Sequence, residues 1–275
     1  MSAVQATHAA LLGRKGAARI ALIPPDVLEA LNGGHVPTVN LNEFLAIDLG
    51  RLAPAVALQV GLDPRAERLV DTLAMLPAFK PMQRHTHVAR ALYDLTAAHT
   101  ACDDVAHRLA THPSDLARCW AAQWIGFSGL PLAARLESVR RFAADTHFGV
   151  REIAWMAVRD EVAADLDAAL ALLAPWVVDT DENIRRFASE LTRPRGVWCA
   201  QIEPLKAEPW RGLPLIEPLR ADPSRYVQNS VANWLNDAAK RQPAWTASVC
   251  ERWLDESPVP ATRYIAKRAQ RSILA

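Results

Sequence analysis

A short phrase recurs along the second half of the chain, and its spacing restricts the fold more than any other property of the sequence. Asp145-Thr-His-Phe-Gly-Val150-Arg-Glu-Ile-Ala is matched by Asp179-Thr-Asp-Glu-Asn-Ile184-Arg-Arg-Phe-Ala and by Asp222-Pro-Ser-Arg-Tyr-Val227-Gln-Asn-Ser-Val. In each copy an aspartate precedes a β-branched residue by five positions. Fainter copies start at Thr111 and Ser257, so the starts 111, 145, 179, 222 and 257 lie 34, 34, 43 and 35 residues apart. Each copy opens with a residue of helix N-cap type, and Asp222-Pro223 places proline where a first helical turn tolerates it. A second apolar-periodic segment, such as Val162 to Ala174, fits between copies.

A period in the thirties to forties with two helices per unit is that of HEAT-like repeats, which bury a continuous core by stacking. The expected fold class is therefore all-α, a HEAT-like repeat α-solenoid with a concave face. Strand-type alternation is nearly absent, most of the 19 prolines fall between periodic segments, and 51% apolar content is ample for a core. The interval of 43 exceeds its neighbours by 43−34 = 9 residues, and the excess lies between Glu190 and Asp222, where Arg193-Pro-Arg-Gly196 and the stretch Pro204 to Pro214 replace a short connection. Ahead of the repeats, Leu11 to Leu31, Asn40 to Leu62, Pro64 to Leu76 and Met82 to His99 are predicted helices. The chain is read as a single domain over 1–275, with capping helices in 1–100 and site-bearing repeats in 101–275.

Cys102, Cys119, Cys199 and Cys250 form no Cys-x-x-Cys pair, and His85-x-His87 lacks companions for a zinc site. Reduced thiols and no metal are expected. Residues 1–15 do not read as a secretion signal and no later span is long and apolar, so a cytoplasmic protein with no membrane association is expected. A formal net charge of +1 excludes a generic polycation, so affinity for nucleic acid requires charges gathered on one face.

The repeats themselves carry such charges. Arg151, Arg185, Arg193, Arg195, Arg225, Lys240, Arg263 and Lys267 are candidates for phosphate contacts, or for the solvated faces any helical repeat must have. Counted from the repeat starts, Glu152 lies at 152−145 = 7, Glu190 at 190−179 = 11 and Asp237 at 237−222 = 15. Steps of four on equivalent helices keep a side chain on nearly one face, so three carboxylates are expected along one stripe. The alternative is local pairing of Glu190 with Arg193 and of Asp237 with Lys240, each three residues apart. Trp120 and Trp124 read as a buried stripe, whereas Trp198 follows a proline-glycine break on the inserted loop.

Two segments together resemble the AlkC family of bacterial DNA alkylation repair glycosylases, which shares a HEAT-like fold with the AlkD group. They are Ser189-Glu190-Leu-Thr192-Arg193-Pro194-Arg195-Gly-Val-Trp198 and Asp222-Pro-Ser-Arg-Tyr226-Val227 through Asn233-Trp-Leu235-Asn236-Asp237-Ala-Ala-Lys240. The likeness runs from about Phe148 to the end, and Leu12-Gly-Arg-Lys-Gly and Thr38 to Ala46 extend it weakly towards the start. Leu191 stands where the pattern has glycine, Gly196-Val197 where it has a second proline, and the segment after Glu152 also departs from it. The 275-residue length leaves no room for the C-terminal immunoglobulin-like domain some members carry.

The resemblance implies a monofunctional glycosylase of base excision repair that releases cationic alkylated bases such as 3-methyladenine from double-stranded DNA, with no metal, cofactor or obligate protein partner. It implies Asp237, Glu190, Glu152 and Trp198 as the catalytic set, and DNA contacts from the basic residues above together with Asn233. It also places the protein in the bacterial cytoplasm, at the nucleoid when acting. The competing reading is a non-catalytic HEAT-repeat DNA-binding or scaffold protein, since folds do not fix functions.

Overall fold

The computed structural model describes residues 9–97, 101–196 and 199–273, and among them it is helical with no strand. None of its described helices is long and apolar enough to cross a membrane. The chain forms two compact units, Met1–Ser128 with His147–Ile153, and Gly129–Thr146 with Ala154–Ala275.

In the first unit the helices are α1 (Pro25–Asn32), α2 (Leu41–Ala46), α3 (Leu49–Val60), α4 (Glu67–Met75), α5 (Pro81–Ala97), α6 (Cys102–Ala110) and α7 (Asp115–Phe127). A single helix over 11–31 does not form. Residues 9–12 are helical, then Gly13 and Gly16 weaken the turn and Pro24-Pro25 resets it, so α1 starts at Pro25. The expected helix over 40–62 is two, because the Asp48 side chain accepts from Gly50 N at 2.8 Å and caps a new start. His99, the expected end of α5, lies outside the described residues.

The two weakly matching N-terminal segments meet in this unit. Arg14 Nε donates to Glu43 Oε1 at 3.1 Å and Nη2 to Oε2 at 2.6 Å, while Val39 N donates to the same carboxylate. Thr38 is pinned in turn: its N–H and hydroxyl both donate to Asp115 at 2.8 Å, and His147 Nε2 donates to Thr38 O at 2.8 Å. Gly149 N donates to His147 Nδ1, which fits a neutral ring protonated at Nε2. Asp115 is wholly buried, and these donors offset the cost of placing a carboxylate there. Trp120 and Trp124 on α7 are both buried, as their i, i+4 spacing predicts.

The second unit contains α8 (Leu132–Ala143), the larger part of α9 (Phe148–Ala164), α10 (Leu166–Leu173), α11 (Glu182–Leu191), α12 (Glu203–Ala207), α13 (Leu213–Ile216), α14 (Arg225–Ala239), α15 (Pro243–Glu256) and α16 (Pro260–Ala269). Four repeat starts, at 145, 179, 222 and 257, each lie three residues ahead of a helix, namely α9, α11, α14 and α16. α11 packs on α14, and α14 packs on α15 and α16, so equivalent helices of successive repeats lie side by side.

The opening aspartates are not the caps, which corrects the sequence expectation. Asp181 and Ser224 cap α11 and α14, accepting from Asn183 N and Tyr226 N, and Pro223 precedes the cap. Asp179 and Asp222 instead accept the N–H two residues on, and each pairs with an arginine from an earlier repeat. Arg185, on the first helix of the preceding repeat, donates from Nε and Nη2 to Asp222 at 2.7 and 3.0 Å, whereas Asp179 pairs with Arg140 near the end of α8, in the repeat that starts at 111. These two aspartates therefore each tie their own repeat to an earlier one.

The insertion folds into α12, α13 and short 3₁₀ turns at Pro209–Gly212 and Glu217–Leu219. It buries Ile202, Leu205, Leu215, Ile216 and Leu219 in place of a regular second helix in the repeat that starts at 179. Gly212 makes this possible: a Cβ there would sit 2.5 Å from the ring of the buried Trp234.

Candidate active site

α11 stops where the motif turns. Thr192 folds its hydroxyl back to Ala188 O at 2.9 Å, and Pro194 removes an amide and turns residue 193 out of helical conformation. Arg193 thereby leaves the helix axis and points its guanidinium between two carboxylates. Nη1 donates to Glu190 Oε1 at 2.6 Å, and Nε donates to Asp237 Oδ2 at 2.9 Å. Glu190 is 5% and Asp237 4% exposed, so both charges depend on their partners.

The two carboxylates are not equivalent. Glu190 also accepts from Ser230 Oγ at 2.7 Å, Ser230 accepts from Ser189 at 2.8 Å, and Arg186 Nη2 lies 3.6 Å from Glu190 Oε2. Burial raises the Glu190 pKa, but Arg186, Arg193 and the hydrogen bonds outweigh it, leaving the carboxyl below its ordinary range. For Asp237 burial wins: it raises the pKa, the pull of Arg193 and Lys240 does not cancel it, and the negative Glu190 adds to the rise. Asp237 Oδ1 faces Lys240 Nζ at 3.7 Å, longer than a direct hydrogen bond. Arg193 stays charged, because the burial that disfavours a cation is outweighed by Glu190 and Asp237.

Among the sequence-predicted catalytic residues the structure joins Glu190 and Asp237, through Arg193. Glu152 lies half-buried near the start of α9, in the part belonging to the first unit. Trp198 lies outside the described residues. The predicted DNA-contact residues fall into two groups. Arg225, Lys240, Arg263 and Lys267 are exposed, with Arg225 stacked on Tyr264 at 3.6 Å. Arg151, Arg185, Arg193, Arg195 and Asn233 are half-buried; Arg185 is tied to Asp222, and Asn233 accepts from Arg271 at 2.9 Å. Both local pairings, Glu190 with Arg193 and Asp237 with Lys240, are present.

Sequence reasoning missed Ser189, Ser230 and Arg159. The serines show a weak signal, small polar residues on the buried stripes of α11 and α14. Arg159 donates to the Leu191, Arg193 and Ala200 carbonyls at 2.5, 2.7 and 2.9 Å. Its partners are backbone atoms and leave no mark in a sequence.

No family model matches the chain. The uncharacterized protein YhaZ of Bacillus subtilis (strain 168) is 32% identical over 215 residues, 77% of this chain and 58% of YhaZ. A solved structure of Pseudomonas fluorescens alkylpurine DNA glycosylase AlkC, bound to DNA containing an abasic site analog, is similar with a TM-score of 0.67. Identity to it is 26%, over 82% of this chain and 62% of that one. The protein smu.31 from Streptococcus mutans UA159 shares the fold, with a TM-score of 0.56 and 20% identity over 74% of this chain and 98% of its own. The chain thus spans about three fifths of YhaZ and of AlkC. It is similar in fold to AlkC over most of its length, and its Glu190 and Asp237 motifs stand on adjacent repeat helices.

Proposed function

We propose that this protein is a monofunctional DNA glycosylase of base excision repair that hydrolyses the N-glycosidic bond of cationic alkylated bases, such as 3-methyladenine, in duplex DNA. The observation that carries the reading is the buried Glu190–Arg193–Asp237 array, in which one carboxyl is held low and the other pushed up. Similarity to AlkC, solved on abasic-site DNA, supports it.

A base alkylated on a ring nitrogen already carries positive charge, so it leaves as a neutral molecule without being protonated. Positive charge then grows on the deoxyribose. In this reading Asp237 faces that charge, and its Oδ1, held off Lys240, takes a proton from the water whose oxygen bonds to C1′ as the bond to the base breaks. Acid–base help of this kind contributes roughly 10²–10⁴-fold. The raised pKa makes Asp237 the stronger base of the two carboxylates, and Glu190 remains ionised to fix Arg193. Trp198 is assigned cation–π stabilisation, on the order of 0.5–2 kcal/mol, and Glu152 a supporting acidic role; both assignments rest on motif. Arg225, Lys240, Arg263 and Lys267 contact phosphates, aided by Arg151, Arg185, Arg195 and Asn233. Water is the only co-reactant, and the site of action is the bacterial nucleoid.

The second reading, a DNA-binding protein that does not cut, draws on the same geometry, since Arg193 already occupies an oxygen of each carboxylate. Duplex DNA treated with a methylating agent separates the two. The enzyme frees 3-methyladenine, identified by mass. Salt-dependent binding with no free base establishes the binder instead.

A further inference from the structure

We propose that Arg159 is a positioning residue of this site, fixing the loop on which Arg193 stands; the role in base release rests on the glycosylase reading above. Arg159 is 1% exposed on α9, and the three carbonyls it holds, those of Leu191, Arg193 and Ala200, lie at both feet of the loop that leaves α11. Ile202 N donates to Pro194 O at 3.1 Å and closes the same loop. Gly196 lies against the guanidinium: a Cβ there would meet Arg159 Nε at 3.2 Å and Cys199 Sγ at 1.9 Å, so only glycine fits between them.

The repeat gives this contact a simple origin. Arg159 lies at 159−145 = 14 and Arg193 at 193−179 = 14, the same position in consecutive repeats. The first arginine points at the backbone carrying the second, and the second points at the carboxylates. Burying a cation with three carbonyls and the ring of Trp155, 5.8 Å away, as its contacts is expensive, and burial indeed pushes the Arg159 pKa down. An apolar residue would fill the space at lower cost. Three planar, divergent donors, however, are what tying two loop ends together requires, and only arginine supplies them. With Arg159 in place, the Arg193 guanidinium is set before DNA arrives.

The test compares wild type with Arg159→Met and Arg159→Lys, using circular dichroism for folding and three site readouts. These are hydrogen exchange of residues 192–202, the ¹³C titration of the Asp237 carboxyl, and single-turnover base release at saturating enzyme. For Arg159→Met we expect exchange in 192–202 to rise about tenfold or more while α14 stays protected. The Asp237 titration should shift, and base release should slow by about 100-fold with little change in DNA affinity. Arg159→Lys should fall between, and it is the variant to read where the methionine variant does not fold. Unchanged exchange together with an unchanged Asp237 titration overturns the proposal. A wild type that frees no base refutes the glycosylase reading instead, and the exchange and titration arms still decide the role of Arg159.

Discussion

Replacing Arg193 with methionine keeps the aliphatic stem and removes the cation two buried carboxylates share. Glu190 then retains Ser230 and Arg186 at 3.6 Å, while Asp237 retains Lys240 at 3.7 Å. Removing one partner of a buried ion pair costs about 3–5 kcal/mol, far more than any exposed pair. At roughly 2–4 °C per kcal/mol for a protein of this size, Tm at pH 8 should fall by about 6–20 °C. The pH dependence is the sharper test. Burial already holds the folded-state pKa of Asp237 above its ordinary value, and without Arg193, the largest pull against that rise, it moves further up. That contribution to stability is full below the unfolded pKa and lost as pH rises through the folded one. The penalty should therefore be larger at pH 8 than at pH 5. Calorimetry or denaturant titration across that range measures it. A variant as stable as wild type, or a penalty equal at both pH values, would refute the claim that Arg193 offsets two buried charges.

Gly212→Ala should destabilise the protein by about 1–3 kcal/mol in urea titration, because the new methyl meets the fully buried Trp234. His112 is buried, accepts from Ser114 N and has a pKa pushed down to about 4 by burial, so the ring is held neutral. A lowered folded pKa gives stability present above the unfolded value of about 6.5 and lost as pH falls towards about 4. His112→Gln should flatten the decline of Tm across that window. Lys240→Ala should weaken binding to duplex DNA of any sequence and lower the slope of log K against log salt by about one unit, measured by anisotropy. An unchanged slope removes Lys240 from the phosphate contacts.

The fold was legible where the chain repeats itself. The repeated phrase marks the start of α9, α11, α14 and α16, and in two copies its aspartate, Asp179 or Asp222, takes an arginine from an earlier repeat. The same register placed Glu190 and Asp237 on adjacent helices, and their shared Arg193 follows from the proline that ends α11. Local signals did worse where two of them compete. The apolar pattern over 11–31 reads as one helix, yet glycine and proline inside it decide for a break and a restart at Pro25. A cap-type aspartate ahead of a helix reads as the cap, yet Ser224 and Asp181 closer in take that role. An arginine in a motif looks the same whether it meets a phosphate or a carboxylate, so the pairing of Arg185 with Asp222 and of Arg193 with Asp237 could not be read from the sequence. Arg159 was silent, since carbonyl partners have no residue type.

The most direct test of the account is single-turnover release of 3-methyladenine from a duplex carrying one lesion, with wild type beside Asp237→Asn. Asparagine keeps the shape and an oxygen for Arg193 while removing the charge and the base. The account predicts a rate lower by about 10²–10⁴-fold with the Kd for DNA essentially unchanged. Equal rates for the two proteins would contradict it and move the chemistry away from the Glu190–Arg193–Asp237 array.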